Sequence, residues 1–227
     1  PDWQLQEGKP LGAYLLYESD GVWYDEAEIA ANTVDYSQVT NQLRPGDLKL
    51  VDYDKNGKID GDDMVRQEDS FVPRLQYGIT LDVSYKNFDL SLLFQGSQGG
   101  LTTLFNGEFG DWGNYYKYQH DNRWSIDNPS RVHPRLASRG DTWYTDGGYG
   151  NNTYNYGSTD YLRLKNIELG YNLPKEFLGQ GFISNFRLYA SGLNLLTFTE
   201  FGMTDPEVAD RTYPLQKVWN LGLRVNF

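Results

Sequence analysis

The sequence predicts an all-β fold, and more narrowly a section of an antiparallel transmembrane β-barrel. Three observations carry that expectation. Long stretches alternate apolar with polar residues, their polar faces hold charges that a closed core would reject, and tight turns at one end contrast with long loops at the other. An antiparallel sheet with one solvated face stays open as the alternative.

Taken in order, EGKPLGAYLLYESDGVWYDEAEIAAN reads as a short strand, a Ser-Asp-Gly turn and a brief helical turn over residues 25–31. LRPGDLKLV adds a Pro-Gly break and a short alternating run. After Pro73 the pattern changes: Tyr77, Ile79, Leu81, Val83 and Tyr85 alternate with polar neighbours or glycine. Lys86-Asn87 is a turn signal, and Phe88, Leu90, Leu92 and Phe94 resume the alternation with Leu93 as its one slip. Each arm of this hairpin is roughly ten residues, about what a tilted strand needs to cross a bilayer.

Periodicity then vanishes over residues 99–159, where Gly, Asn, Asp, Tyr and Trp dominate. Structureless connections of that length are usually functional. Alternation returns in YLRLKNIELGYNLP, which places Arg163, Lys165, Ile167, Leu169 and Tyr171 on one face. Further strands are expected in ISNFRLYASGLNLLTFT and KVWNLGLRVNF, the last with Trp219, Leu221, Leu223, Val225 and Phe227 on one side.

Composition narrows the function. Tyr (18) and Trp (6) lead a 15% aromatic share, which suits sugar-stacking surfaces or the interfacial belts of membrane barrels, and equally a Tyr-rich soluble sandwich. A net charge of −11 argues against nucleic acid, since no basic stripe exists to neutralise phosphates. With no cysteine, disulfides, thiolate metal sites and a cysteine nucleophile are excluded. No run reaches the ~20 apolar residues of a membrane helix. The chain starts at Pro1 with no signal peptide, so a processed or partial chain is expected.

One motif is chemical. DYDKNGKIDGDD, residues 52–63, carries oxygen ligands at calcium-loop positions 1, 3, 5 and 9 (Asp52, Asp54, Asn56, Asp60), with Gly57 at the sharp turn. Lys58 is expected to offer its carbonyl at position 7, and Asp63 to replace the usual closing glutamate with a side chain one methylene shorter. No helix flanks the loop, so a sensor is not expected; a structural calcium would staple a long excursion between strands. An acidic solvated turn that binds no metal is the alternative.

Five stretches in series resemble the SusC/RagA-type TonB-dependent outer-membrane transporters of Bacteroidetes: EGKPLGAYLLYESDGVW, RPGDLKLVDYDKNGKIDGDD, FVPRLQYGITLDVSYKNFDLSLLFQG, DYLRLKNIELGYNLP and WNLGLRVNF. The resemblance covers nearly the whole chain apart from the variable loops. It implies the C-terminal strands of a large barrel of the ~22-stranded, plugged kind. The plug domain, the TonB box and the first strands would lie upstream. It also implies nutrient import (oligosaccharides or peptides) across the cell outer membrane, coupled to the TonB complex through that missing N-terminal part, with a SusD-like surface lipoprotein as lid. Outer-membrane lipid would then surround the strands.

Within that frame Trp112, Tyr115, Tyr116, Trp124, Trp143 and Tyr144 are candidates for contact with substrate or lid, with packing of the loops as the alternative for each. Phe227, closing an alternating strand, looks like the terminal signal read by barrel-insertion machinery. No catalytic residue is expected. Glu108, Asp111, Asp121, Asp141 and Asp146 are loop acids that nothing pairs, and His120 and His133 lack metal or triad spacing. A soluble calcium-stapled carbohydrate-binding module is the rival reading.

Overall fold

A computed structural model describes residues 7–104, 117–137, 141, 151–178, 182–202, 205–208, 213 and 215–227. Along the chain its elements are β1 (Ala13–Tyr17), β2 (Ser19–Val22), α1 (Glu26–Ala30), β3 (Leu48–Leu50), β4 (Met64–Ser70), β5 (Leu75–Tyr85), β6 (Phe88–Gln98), β7 (Leu101–Thr103), α2 (Lys117–Asn122), β8 (Tyr156–Ser158), β9 (Tyr161–Asn172), β10 (Asn185–Thr199) and β11 (Val218–Asn226). Two compact units result: Pro1–Phe71 with Leu101–Gly157, and Val72–Gly100 with Ser158–Phe227.

The first unit is a set of short strand pairs around a small core. β1 pairs with β4 and β2 with β3. The Ser-Asp-Gly stretch expected as a turn lies inside β2, with Gly21 supplying a positive φ of 82°. The helical turn forms as read, because Asp25 caps it by accepting from the Glu28 N–H. Tyr17, Val22, Trp23, Tyr36, Val39, Leu48, Leu50 and Ile59 build the core. Asp47, also buried, accepts from Arg135 Nε at 2.7 Å, and Arg135 forks onto Asp141 at 3.0 Å. The loop region expected to be structureless carries α2 and the short pair β7–β8 among its described residues.

The second unit is one antiparallel sheet in the order β11-β10-β9-β6-β5. Its hairpin β5–β6 turns at Lys86-Asn87, with Lys86 at φ 55°. Cross-strand pairs Ile79–Phe94, Leu81–Leu92 and Val83–Leu90 continue through Leu90–Leu169 and Leu92–Ile167 to Leu188–Leu223 and Ala190–Leu221 on the far strands. These rows make one continuous apolar face, and it is bare: Ile79 is 58% exposed, Leu81 50% and Leu221 89%. An exposed apolar surface this broad marks an interaction with something apolar, and in a barrel wall that partner is lipid. The soluble-module reading leaves the face unexplained. No helix among the described residues is long and apolar enough to cross a membrane.

The opposite face is polar, and one detail of it corrects the sequence reading. Lys165 is passed over in both ladders of β9: Asn166 pairs with Leu93 and Leu193, whereas Leu164 pairs with Phe94 and Leu196. A bulge of this kind inserts an unpaired residue and re-aims the side chains beyond it. Arg163 therefore pairs with Gln95 on the polar face, while Ile167, Leu169 and Tyr171 stay in the apolar rows. The five residues do not share a face.

Candidate functional site

The acidic loop lies in the first unit and is organised by its own backbone. Gly57 N–H donates to Asp52 Oδ2 at 2.9 Å, Asn56 N–H to Asp54 Oδ1 at 3.0 Å and Lys58 N–H to Asn56 Oδ1 at 2.9 Å. Each carboxylate or amide thus closes a small turn on the residues ahead of it. Gly57 takes φ 85°, and open space surrounds the place where a Cβ would stand, so conformation rather than crowding requires glycine. Asp63, fully buried, accepts from Tyr53 N–H at 2.7 Å and Asp60 N–H at 2.9 Å, which ties the end of the loop to its beginning.

Carboxylate oxygens of Asp52, Asp54 and Asp63 converge to within 4.8 Å of one another. Asp60 stands outside this trio; its carboxylate accepts from Asp62 N–H at 2.9 Å and pairs with Lys58 Nζ, which holds it below the usual carboxylate range. Asn56 turns its amide NH₂ toward Asp54 at 2.8 Å. So three of the six expected ligands cluster through their side chains.

Ile59, which the sequence reading passed over, fixes the loop to the body of the unit. Its side chain is fully buried in the core. Its N–H donates to Asp35 O at 2.8 Å, and Asp35 N–H donates to Gly57 O at 2.9 Å, a two-bond bridge across the loop. The signal was present as a lone apolar residue inside an otherwise polar run.

Of the aromatic candidates, Trp124 is placed: its ring lies against Gly46 and its Nε1 donates to Tyr24 O at 3.1 Å. Trp112, Tyr115, Tyr116, Trp143 and Tyr144 lie outside the described residues. Phe227 follows β11 and is exposed. The described loop acids are used structurally: Asp121 pairs with Lys117, and Asp141 with Arg44 and Arg135. His133 sits between two tyrosines, with Nδ1 at 2.9 Å from Tyr154 Oη and Nε2 at 3.4 Å from Tyr118 Oη, and burial pushes its pKa down.

The polar face of the wall holds two ion clusters that sequence reading missed. Arg187 pairs with Asp89 and, at 2.8 Å, with Glu168; a Cβ at Gly170 would meet both Arg187 and Asp89. Arg163 reaches Asp205 at 2.7 Å and Glu207 at 3.0 Å, and Lys165 joins Glu207 at 2.7 Å. These contacts hold residues 205–208 against the polar side of the sheet.

The chain is 34% identical over 98% of its length to TonB-dependent receptor P3 of Formosa agariphila. It belongs with the TonB-dependent receptors. TonB-dependent receptor P26 of the same organism is 31% identical over 99% of the chain, and receptor P39 26% over 95%. The chain spans about a quarter of the length of these receptors, 23% of P3 and of P26. Among solved structures, the RagAB peptide transporter matches with a TM-score of 0.64 at 24% identity, covering 95% of this chain and 23% of that one. The RagAB peptide importer in its closed-closed state gives 0.63 at 25% identity, again covering 95% of this chain and 23% of the other. No protein-family model matches the chain. The matches are to TonB-dependent receptors and a RagAB importer, outer-membrane proteins in whose barrel wall these antiparallel strands have their counterparts.

Proposed function

We propose that this segment is the C-terminal wall and loop region of a TonB-dependent importer of oligosaccharides or peptides, working with a SusD-like lipoprotein. One observation supports the reading above the others. The five-stranded sheet presents a bare apolar face to one side and a charged, hydrogen-bonded face to the other, as a wall between lipid and a wet lumen must. Energy coupling and gating would belong to the N-terminal parts of the full-length receptor, through the TonB complex. The test is uptake: deletion of the full-length gene should abolish import of a labelled peptide or oligosaccharide pool, and complementation should restore it. Unchanged uptake of both pools would overturn the importer.

The same reading assigns the loop at residues 52–63 a structural calcium. The donor set fits: three carboxylates converge, all oxygen ligands, on a turn whose glycine is conformationally required. Asp52, Asp54 and Asp63 would hold the ion by their side chains, with Asn56, the Lys58 carbonyl and Asp60 completing the set. When bound, calcium would neutralise the convergent charge and stiffen the excursion. Calorimetric titration of the metal-stripped full-length receptor should give heat that Asp52→Ala with Asp54→Ala removes; identical traces would end the assignment.

A further inference from the structure

We propose that residues 205–208 are an internal ligand: their carboxylates fill a cationic site on the polar face of the wall, and an acidic cargo binds there by displacing them. The cations stand on β9. Arg163, fully buried, and Lys165, the residue left unpaired at the bulge, both reach Glu207. The wall holds Arg163 in place, since its guanidinium lies over the Tyr161 ring, whose hydroxyl accepts from Gln95 Nε2 on β6 at 3.2 Å.

The occupant is shaped by its own sequence. In Asp205-Pro206-Glu207-Val208 the Val208 N–H donates to Asp205 O at 3.0 Å and the Glu207 N–H to Asp205 Oδ1 at 3.0 Å. Asp followed by Pro is what the first two positions of such a turn favour, so the turn closes locally and carries its two carboxylates to one guanidinium. Asp205 Oδ1 accepts from Arg163 Nη2 at 2.7 Å, and Glu207 Oε2 from Nη1 at 3.0 Å. Lys165 Nζ donates to both Glu207 oxygens, at 2.7 and 2.9 Å. A carboxylate gripped by a guanidinium and an ammonium together is bound as an acidic ligand would be.

Two features make this occupancy exchangeable. Among the described residues, Arg163 and Lys165 supply every hydrogen bond between residues 205–208 and the strands. The Lys165–Glu207 edge is open to water on both sides, with side chains 27% and 26% exposed, and ion pairs are weakest in such surroundings. Arg163 also keeps a donor in reserve: its Nε is buried with no hydrogen-bond partner among the described residues. A cargo with a carboxylate and further oxygens can take over the guanidinium and use that third N–H as well. That the displacing acid is cargo rests on the importer reading; the self-occupied site does not.

Calorimetry on the full-length receptor at fixed ionic strength tests the exchange, with triglutamate and trigalacturonate as acidic probes and triglutamine and trigalactose as uncharged ones. The acidic probes should bind and the uncharged ones should not; preference for one acid over the other upholds the site and names its source. Asp205→Asn with Glu207→Gln empties the site and should tighten acid binding several-fold, because no occupant has to be displaced. Lys165→Gln, which leaves the Arg163–Asp205 pair in place, should weaken it. Saturating triglutamate should also speed hydrogen exchange at the Glu207 and Val208 amides of the wild type. Equal binding of charged and uncharged probes, no binding in any form of the receptor, or full binding in Lys165→Gln would overturn the site. Unchanged or weaker acid binding in the double variant, or unaltered exchange under triglutamate, would overturn the displacement. Selective acid binding without uptake would count against the importer and leave the site standing.

Discussion

Arg163 and Asp205, 42 residues apart, meet at 2.7 Å with the arginine side chain 1% exposed. Removing one partner of a buried ion pair strands the other charge, at a cost of about 3–5 kcal/mol. Arg163→Gln in the full-length receptor should therefore release residues 205–208, read as faster proteolytic nicking there. Lys at this position should not rescue, because one ammonium cannot reproduce the fork that serves Asp205 and Glu207 together. Nicking at the wild-type rate in Arg163→Gln would show that the segment is held by other contacts.

Ile59 is the apolar anchor of the acidic loop. Truncating a fully buried isoleucine to alanine costs about 2–5 kcal/mol through lost burial and the cavity left behind. Ile59→Ala should lower the thermal midpoint of the first unit and weaken the proposed calcium binding together, since its buried side chain anchors the loop to the core. Loss of stability with calcium affinity intact would mean that the carboxylates organise themselves.

His133 gives the first unit a pH dependence of definite sign. Burial depresses its folded pKa below the unfolded value, so its contribution is present above about pH 6.5 and is lost as pH falls through the folded pKa. Melting of wild type against His133→Gln between pH 7.5 and 5 should show a gap that narrows on acidification. A constant gap would show that the ring between Tyr118 and Tyr154 does not change protonation with folding.

The two faces of β6 should respond oppositely to charge. Leu92 pairs with Leu81 and Ile167 in the apolar rows, while its neighbour Ser91 faces Asp82 and Glu168. A charge near the bilayer midplane on the lipid side costs about 2–4 kcal/mol. Leu92→Arg should sharply reduce folded receptor in the outer membrane, and Ser91→Arg should leave it near normal. Equal losses would contradict the assignment of faces.

How far the fold is legible depends on what each residue answers to. The β5–β6 hairpin can be read directly, since Tyr77, Ile79, Leu81 and Val83 alternate without interruption and Lys86-Asn87 marks the turn. On β9 the alternation misleads, because the bulge leaves Lys165 unpaired in both ladders and so changes the face of the residues before it. The converging Asp52, Asp54 and Asp63 follow from local spacing and are visible in the motif. The Arg163 and Arg187 clusters join residues from distant segments, and no local pattern announces such pairings.

The order of pairing in the wall also bears on how it assembles. β5 and β6 are separated by a two-residue turn, so that hairpin can zip without closing a long loop. β6 and β9, by contrast, register Ser97 against Tyr161 and must bring together chain ends separated by the entire intervening excursion. The entropy of that closure comes due before the ladder repays it, which makes non-local pairing the slow step in β proteins. Described residues of the excursion pack in the first unit against residues from its earlier part, where Arg135 meets Asp47 and Trp124 meets Tyr24. If those earlier residues order first, they give the excursion a surface to dock on, which shortens the effective tether and brings β9 to β6 sooner. The Asp35–Ile59 bridge, by holding that surface together, would then influence the pace at which β9 reaches β6.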